Sequence, residues 1–177
     1  MTNKIILTTA LSLIALSGMA NAQVVGSGTM GVTATVVGTL NLTFITDEAG
    51  MAVTGTGTAT ASMPFGNVQM FGAATVAGLT QTLNGVASFT ISTPIDIRAD
   101  LSNSASANFL LSATLTAPDA VNAWTVGGVN ISTGALTTIA AAAAYATNTP
   151  YVFAITIPAN EAAGLITNTI NFTATAN

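Results

Sequence analysis

The sequence predicts an all-β chain, an Ig-like antiparallel β-sandwich of about nine to eleven short strands. Three observations carry that prediction. Apolar and polar residues alternate over many short runs, which is the side-chain period of a half-buried strand. Turn signals separate the runs at roughly the 8–12-residue spacing of sandwiches and barrels. No run keeps a helical spacing; the one helix-prone spot, Ala140 to Ala144, is too short to hold a helix alone and reads as a strand rim or a single turn. No fixed period recurs, which counts against a solenoid or a propeller.

Residues 1–22 have the three parts of an export signal: Lys4 in a short polar start, an apolar run from Ile5 to Leu16, and Ala20-Asn21-Ala22 as a small-x-small cleavage site. The apolar run is too short to span a bilayer. Residues 23–37 then read as a leader strand. Its start, Gly26-Ser27-Gly28, is flexible, and Met30, Val32, Ala34 and Val36 form an apolar wall alternating with Gly31, Thr33 and Thr35. Residues 38–177 are the expected sandwich domain.

Within it, Leu40, Leu42 and Phe44 predict a strand that Thr46 to Gly50 turns. A Thr wall (Thr54, Thr56, Thr58, Thr60) opposite Gly and Ala predicts another, with short strands following near 67–70 and 74–79. Asn84-Gly85 is a hairpin signal. The clearest alternation comes next: Phe89, Ile91, Ile95, Ile97, Ala99 and Leu101, with Pro94 inside it arguing for an edge position or a break between two strands. A polar loop at 102–107 leads to the wall Phe109, Leu111, Ala113, Leu115. Gly127-Gly128 predicts a second hairpin, placing Trp124 as a buried anchor. The last stretch, 150–177, reads as two long strands joined by a turn at Pro158 to Gly164. Tyr151, Phe153, Ile155 and Ile157 line one arm, and Ile166, Ile170, Phe172 and Ala174 the other.

The charge inventory narrows function. The 177 residues contain two basic and six acidic side chains and no His or Cys. With the signal removed, Arg98 is the only basic side chain. Nucleic acid and anionic membrane surfaces are poor partners for such a chain. Apolar inward walls and the lack of paired aromatic girdles also argue against insertion in a membrane as a barrel. Without His or Cys there is no zinc or copper site of the usual kind, no thiolate and no His-assisted nucleophile, so the chain is expected to be no enzyme and to need no cofactor. Asp96, Arg98 and Asp100 alternate on one strand, placing a cation between two carboxylates. This reads as a surface charge ladder in preference to a calcium site completed by Asp119. Charged residues make up 5% of the chain, against roughly 25% in ordinary soluble domains. Low charge on strands favours edge-to-edge association, useful in a filament or coat.

The export signal, the leader Val32 to Val36, the Pro64-Phe65-Gly66 element and the closing Ile157-Pro158, Gly164 and Ile170-Asn171-Phe172-Thr173 pattern resemble secreted bacterial pilin-like and spore-coat-U-like β-sandwich surface subunits. The Cys pair common in those pilins is absent here. The resemblance implies a secreted structural subunit of an extracellular fibre, pilus or coat, located outside the cell or on its surface. It would polymerise by strand addition, with Met30, Val32, Ala34 and Val36 as assembly residues, or by side-to-side packing. A periplasmic chaperone is the partner such a subunit would meet before assembly. The alternative expectation is a small secreted adhesin or carbohydrate-binding module.

Overall fold

The computed structural model describes residues 29–177; the expected export signal, 1–22, and the start of the expected leader strand, 23–28, lie outside them. The described chain from Val36 onward is an all-β sandwich unit. Its nine strands are β1 (Thr39–Ile45), β2 (Thr80–Asn84), β3 (Ser88–Ser102), β4 (Phe109–Leu115), β5 (Ala123–Val126), β6 (Val129–Asn130), β7 (Thr137–Ala143), β8 (Thr149–Pro158) and β9 (Ile170–Ala176). They form a six-stranded sheet in the order β1-β3-β8-β5-β6, with β2 also on β3, and a three-stranded sheet in the order β7-β4-β9. Every pairing is antiparallel.

The larger sheet is built on β3. Its odd-numbered residues from Phe89 to Ala99 are buried and its even-numbered ones half-exposed, as strict alternation requires. One edge of β3 pairs continuously with β8. The other is shared: β2 takes Ser88 to Ser92 and β1 takes Asp96 to Ser102. Pro94 falls in the gap between them. It therefore marks neither an edge strand nor a break, but a position where the lost N–H costs no ladder bond. The geometry explains why. Val152, opposite Pro94, gives its carbonyl to Gly127 N–H on the β5 side (2.8 Å), so Pro94 and Val152 form a non-hydrogen-bonded pair and the amide edge of Pro94 faces the gap.

The gap is filled by loop backbone. Thr93, inward-facing and 1% exposed, accepts a hydrogen bond from Met51 N–H at 2.8 Å and donates one to the Gly78 carbonyl at 3.0 Å. A Cβ on Gly50 would collide with the Pro94 carbonyl, and one on Gly78 with the backbone of Gly50. Two glycines thus let three chain segments meet where no side chain fits.

Between the sheets lies the core. Around Phe89, Ile91, Trp124, Phe153 and Ile155, one part meets Ala113 and Leu115 of the smaller sheet. Around Ile97 and Ala99, the other meets Phe109, Leu111 and Ala143. Three strands cannot cover six, and the connection from β1 to β2 supplies the rest. Met63, Phe65, Val68, Met70 and Val76 pack on the first part, and Phe65 sits 5.6 Å from Phe153, centroid to centroid. Gln81 pins this irregular cover, its Nε2 reaching the carbonyls of Gln69 (2.7 Å) and Gly72 (3.0 Å).

Several expectations are corrected. The strands expected near 67–70 and 74–79 belong to that cover and have no ladder. The Thr54 to Thr60 wall is no strand: Gly55 and Gly57 take φ of 82° and 79°, and only single bridges, Phe44 to Thr58 and Thr54 to Ser62, tie it down. The closing hairpin is a crossover, since β8 lies in the larger sheet and β9 in the smaller one. Its second arm starts at Ile170, not at Ile166. Residues 29–37 of the leader carry no strand. Other readings hold: Gly127 and Gly128 both have positive φ, as a two-residue turn from Val126 to Val129 needs, and Ala140 to Ala143 lie in a strand.

Two stability measurements check the packing. Phe153→Ala is expected to cost ~3–5 kcal/mol in denaturant unfolding, and Phe172→Ala, half-buried on β9, distinctly less. Thr93→Val keeps the shape but strands Met51 N–H and the Gly78 carbonyl; about 2–4 kcal/mol should be lost, most of it recovered in Thr93→Ser.

Candidate functional site

The predicted assembly residues come first. Met30 and Val32 are 89% and 83% exposed, and Val36 is 73% exposed. Ala34 is exposed as well. The whole apolar wall read from the sequence is thus open to solvent and outside any described strand.

The predicted charge ladder is rearranged. Arg98 does not sit between two carboxylates. Its Nε reaches both oxygens of Asp100 at 3.0 Å and its Nη2 reaches Oδ1 at 2.8 Å, a forked pair on the solvent face of β3. The pair lowers the Asp100 carboxyl, first through the hydrogen bond and then through charge, and raises the Arg98 guanidinium for the same reasons. Asp96 is left without a cation. Burial first, then the negative charge of Asp47 and its side chain, then Glu48, push the Asp96 carboxyl above its ordinary value. Asp47 itself caps the turn after β1: its Oδ1 accepts from Ala49 N–H at 2.8 Å and its carbonyl from Gly50 N–H at 3.0 Å. Thr46 to Ala52 with Thr54, Pro64 and Val76 to Gly78 line an open depression of about 820 Å³ on this side, with Asp47 and Glu48 at its rim.

Asp119, the third carboxylate considered for calcium, is engaged elsewhere. Its Oδ1 accepts from the N–H groups of Val121 (3.0 Å) and Asn122 (2.9 Å), and its Oδ2 from Asn122 Nδ2 (3.1 Å) and Trp124 Nε1 (2.7 Å). Burial alone would raise its pKa; these bonds outweigh it and bring the carboxyl down to about 2. The carboxylate is the polar handle that lets a Trp be 4% exposed with its indole N–H satisfied. Trp124, 6.0 Å from the Phe153 ring centroid, is a core anchor and offers no flat face to a sugar. Among the described residues no three acidic side chains converge as a metal site, and Asp96, Asp100 and Asp119 are not brought together.

No protein family, curated protein or solved structure matches this chain. The functional reading rests on the sandwich, its edges and its surface alone.

What the sequence reading missed is the edge geometry. In β9, Thr169 and Asn177 both bond toward β4: the Thr169 carbonyl accepts from Thr116 N–H (2.8 Å), and Asn177 N–H donates to the Asn108 carbonyl (3.1 Å). Odd-numbered backbone groups of β9 therefore face β4, while those of Ile170, Phe172, Ala174 and Ala176 face outward from the sheet edge. The same parity on β1 leaves Leu40 and Leu42 facing outward, whereas Phe44 is occupied: its N–H donates to Thr58 O at 2.9 Å and its carbonyl accepts from Gly57 N–H at 2.7 Å.

Asp119 and Asp96 act oppositely on stability. The Asp119 contribution is present above its unfolded value of 3.8 and is lost as pH falls through about 2. Asp119→Ala should therefore melt lower at neutral pH and show a flatter acid limb than the parent. Asp96, with its folded value raised, stabilises only below its unfolded 3.8, and that contribution disappears as pH rises through the folded value. Asp96→Asn should melt higher than the parent at pH 7, with the gain shrinking as the solution is acidified; an unchanged difference across that range would show that Asp47 and Asp96 do not interact.

Proposed function

We propose that this protein is an exported structural subunit of an extracellular fibre, pilus or coat, held together by β-strand addition from the leader or by side-to-side packing of sandwiches. The observation that carries the reading is the leader: a wall of Met30, Val32, Ala34 and Val36, exposed and unpaired in the single chain. An apolar strand-patterned segment left in water is a liability unless another surface covers it. The segment has the pattern that strand addition uses, with main-chain bonds for affinity and alternate side chains for pockets.

Composition supports the same reading. Apart from β3, no strand of either sheet contains a charged residue. Many solvent-facing positions are instead Thr, Asn and Ser, as in the Thr90 to Thr156 hydroxyl pair at 2.8 Å across β3 and β8. Such faces carry little repulsion between copies.

Negative-stain microscopy of the purified protein tests the proposal. The chain with residues 23–37 should form ordered polymers, and the chain without them should remain folded yet form none, with a peptide of that sequence binding to it. If removal unfolds the sandwich and the peptide does not restore it, the leader belongs to its own domain and strand addition between subunits is wrong.

A further inference from the structure

Going beyond the leader, we propose that the outer edge of β9 pairs with the same edge of a second copy about a two-fold axis through Thr173, joining two three-stranded sheets into one. Natural sheets protect their edges with charge, Pro, bulges, short length or cover. Among the described residues the edges at β6, β1 and β7 each show some such protection, and β2 is short, at five residues. The six-stranded sheet ends in the two-residue β6 on one side, and on the other β1 is occupied at Phe44 by Thr58. In the smaller sheet, β7 pairs with β4 through two register shifts. β9 has seven residues in unbroken register with β4 and contains no charge and no Pro.

The occupant follows from the residues of β9 itself. Its outward-facing backbone groups belong to Ile170, Phe172, Ala174 and Ala176, and antiparallel pairing about Thr173 sets Phe172 opposite Ala174 and Ile170 opposite Ala176 of the other copy. Each of these is a hydrogen-bonded pair, so every outward N–H and C=O of the strand gains a partner. On the inner face each large side chain meets a small one. On the outer face Asn171 meets Thr175, and Thr173 meets its own image at a Cβ separation of roughly 4.5–5.5 Å, all without charge. A shift by one residue would oppose outward-facing groups to groups already used by β4.

A charge swap on the full chain tests this. In Thr173→Lys and Thr173→Glu, like charges meet at the axis, and sedimentation should show the smallest associated species reduced to single copies in each variant and restored to pairs when the two are mixed. Amide hydrogen exchange supplies the second measurement. Phe172, Ala174 and Ala176 should be protected in the parent and exposed in either variant, while Thr173 and Thr175, which bond to β4, stay protected throughout and report an intact fold. The proposal fails if the even-numbered amides exchange freely in the parent, or if mixing the variants restores nothing. It fails equally if protection survives both substitutions but is lost on removing residues 23–37, since the leader would then occupy this edge. Absence of fibres with β9 pairing intact would count against the leader alone.

Discussion

The gap in pairing along one edge of β3, at Thr93 and Pro94, is the constraint on which the sandwich depends. A fifteen-residue strand with one continuous partner has to be completed on its other edge, and two short strands arriving from different parts of the chain leave a gap. Proline suits that gap because its missing donor points into it. The buried hydroxyl of Thr93 then does with two hydrogen bonds what a ladder would otherwise do, and brings in the loops that carry Met51 and Leu79 into the core. Were the hydroxyl absent, a buried donor and a buried acceptor would both lose their partner at a place where the long β1 to β2 connection is held against the sheet. The cover over the first part of the core hangs from this point and from Gln81.

That dependence also explains how the sandwich tolerates unequal sheets. The smaller sheet reaches across the Ile97 and Ala99 part of β3, where the rings of Phe44 of β1 and Phe172 of β9 meet tilted at 58°, 5.1 Å between centroids, and close the seam between sheets. Toward Phe89 and Ile91 the cover is loop, filled by Met63, Met70 and Phe65, side chains that adapt to an irregular surface. Backbone polar groups of a loop laid over a core need partners, and the Gln81 amide and the Thr93 hydroxyl provide them.

Side-chain alternation is a local signal, and what it reports is which wall of a strand is buried. It did so for β3, β4 and β8, and for Trp124, whose burial follows from its place beside the Gly127-Gly128 turn. Partner choice is not local. Nothing in Tyr151 to Ile157 or Ile170 to Ala174 says whether two apolar walls lie in one sheet or face each other across a core, so a crossover reads as a hairpin. Alternation also misleads where glycine permits positive φ: Thr54 to Thr60 alternates as a strand does, yet Gly55 and Gly57 turn it into a loop. The polar member of an otherwise apolar wall, Thr93, carried a signal of its own, since a lone hydroxyl on an inward face next to Pro announces a break in pairing. At the carboxylates, spacing put Arg98 between Asp96 and Asp100, but Arg98 forks onto Asp100 while Asp96 meets Asp47, forty-nine positions earlier, which no local pattern announces.

The two sheets also differ in what they present to other molecules. All charge within strands lies on β3, one strand in from the edge, where the Arg98 to Asp100 pair is forked and Asp96 faces Asp47. Charge there marks the outer face of the larger sheet and does not guard an edge. The smaller sheet has no charge on any strand, and its edge strand β9, paired on one side only with β4, keeps Ile170, Phe172 and Ala174 half-buried. An edge that is long, regular and uncharged offers little to oppose the main-chain bonds another strand would form with it. The leader's apolar wall and this edge are two separate places without charge repulsion, and both are surfaces that the proposed association would use.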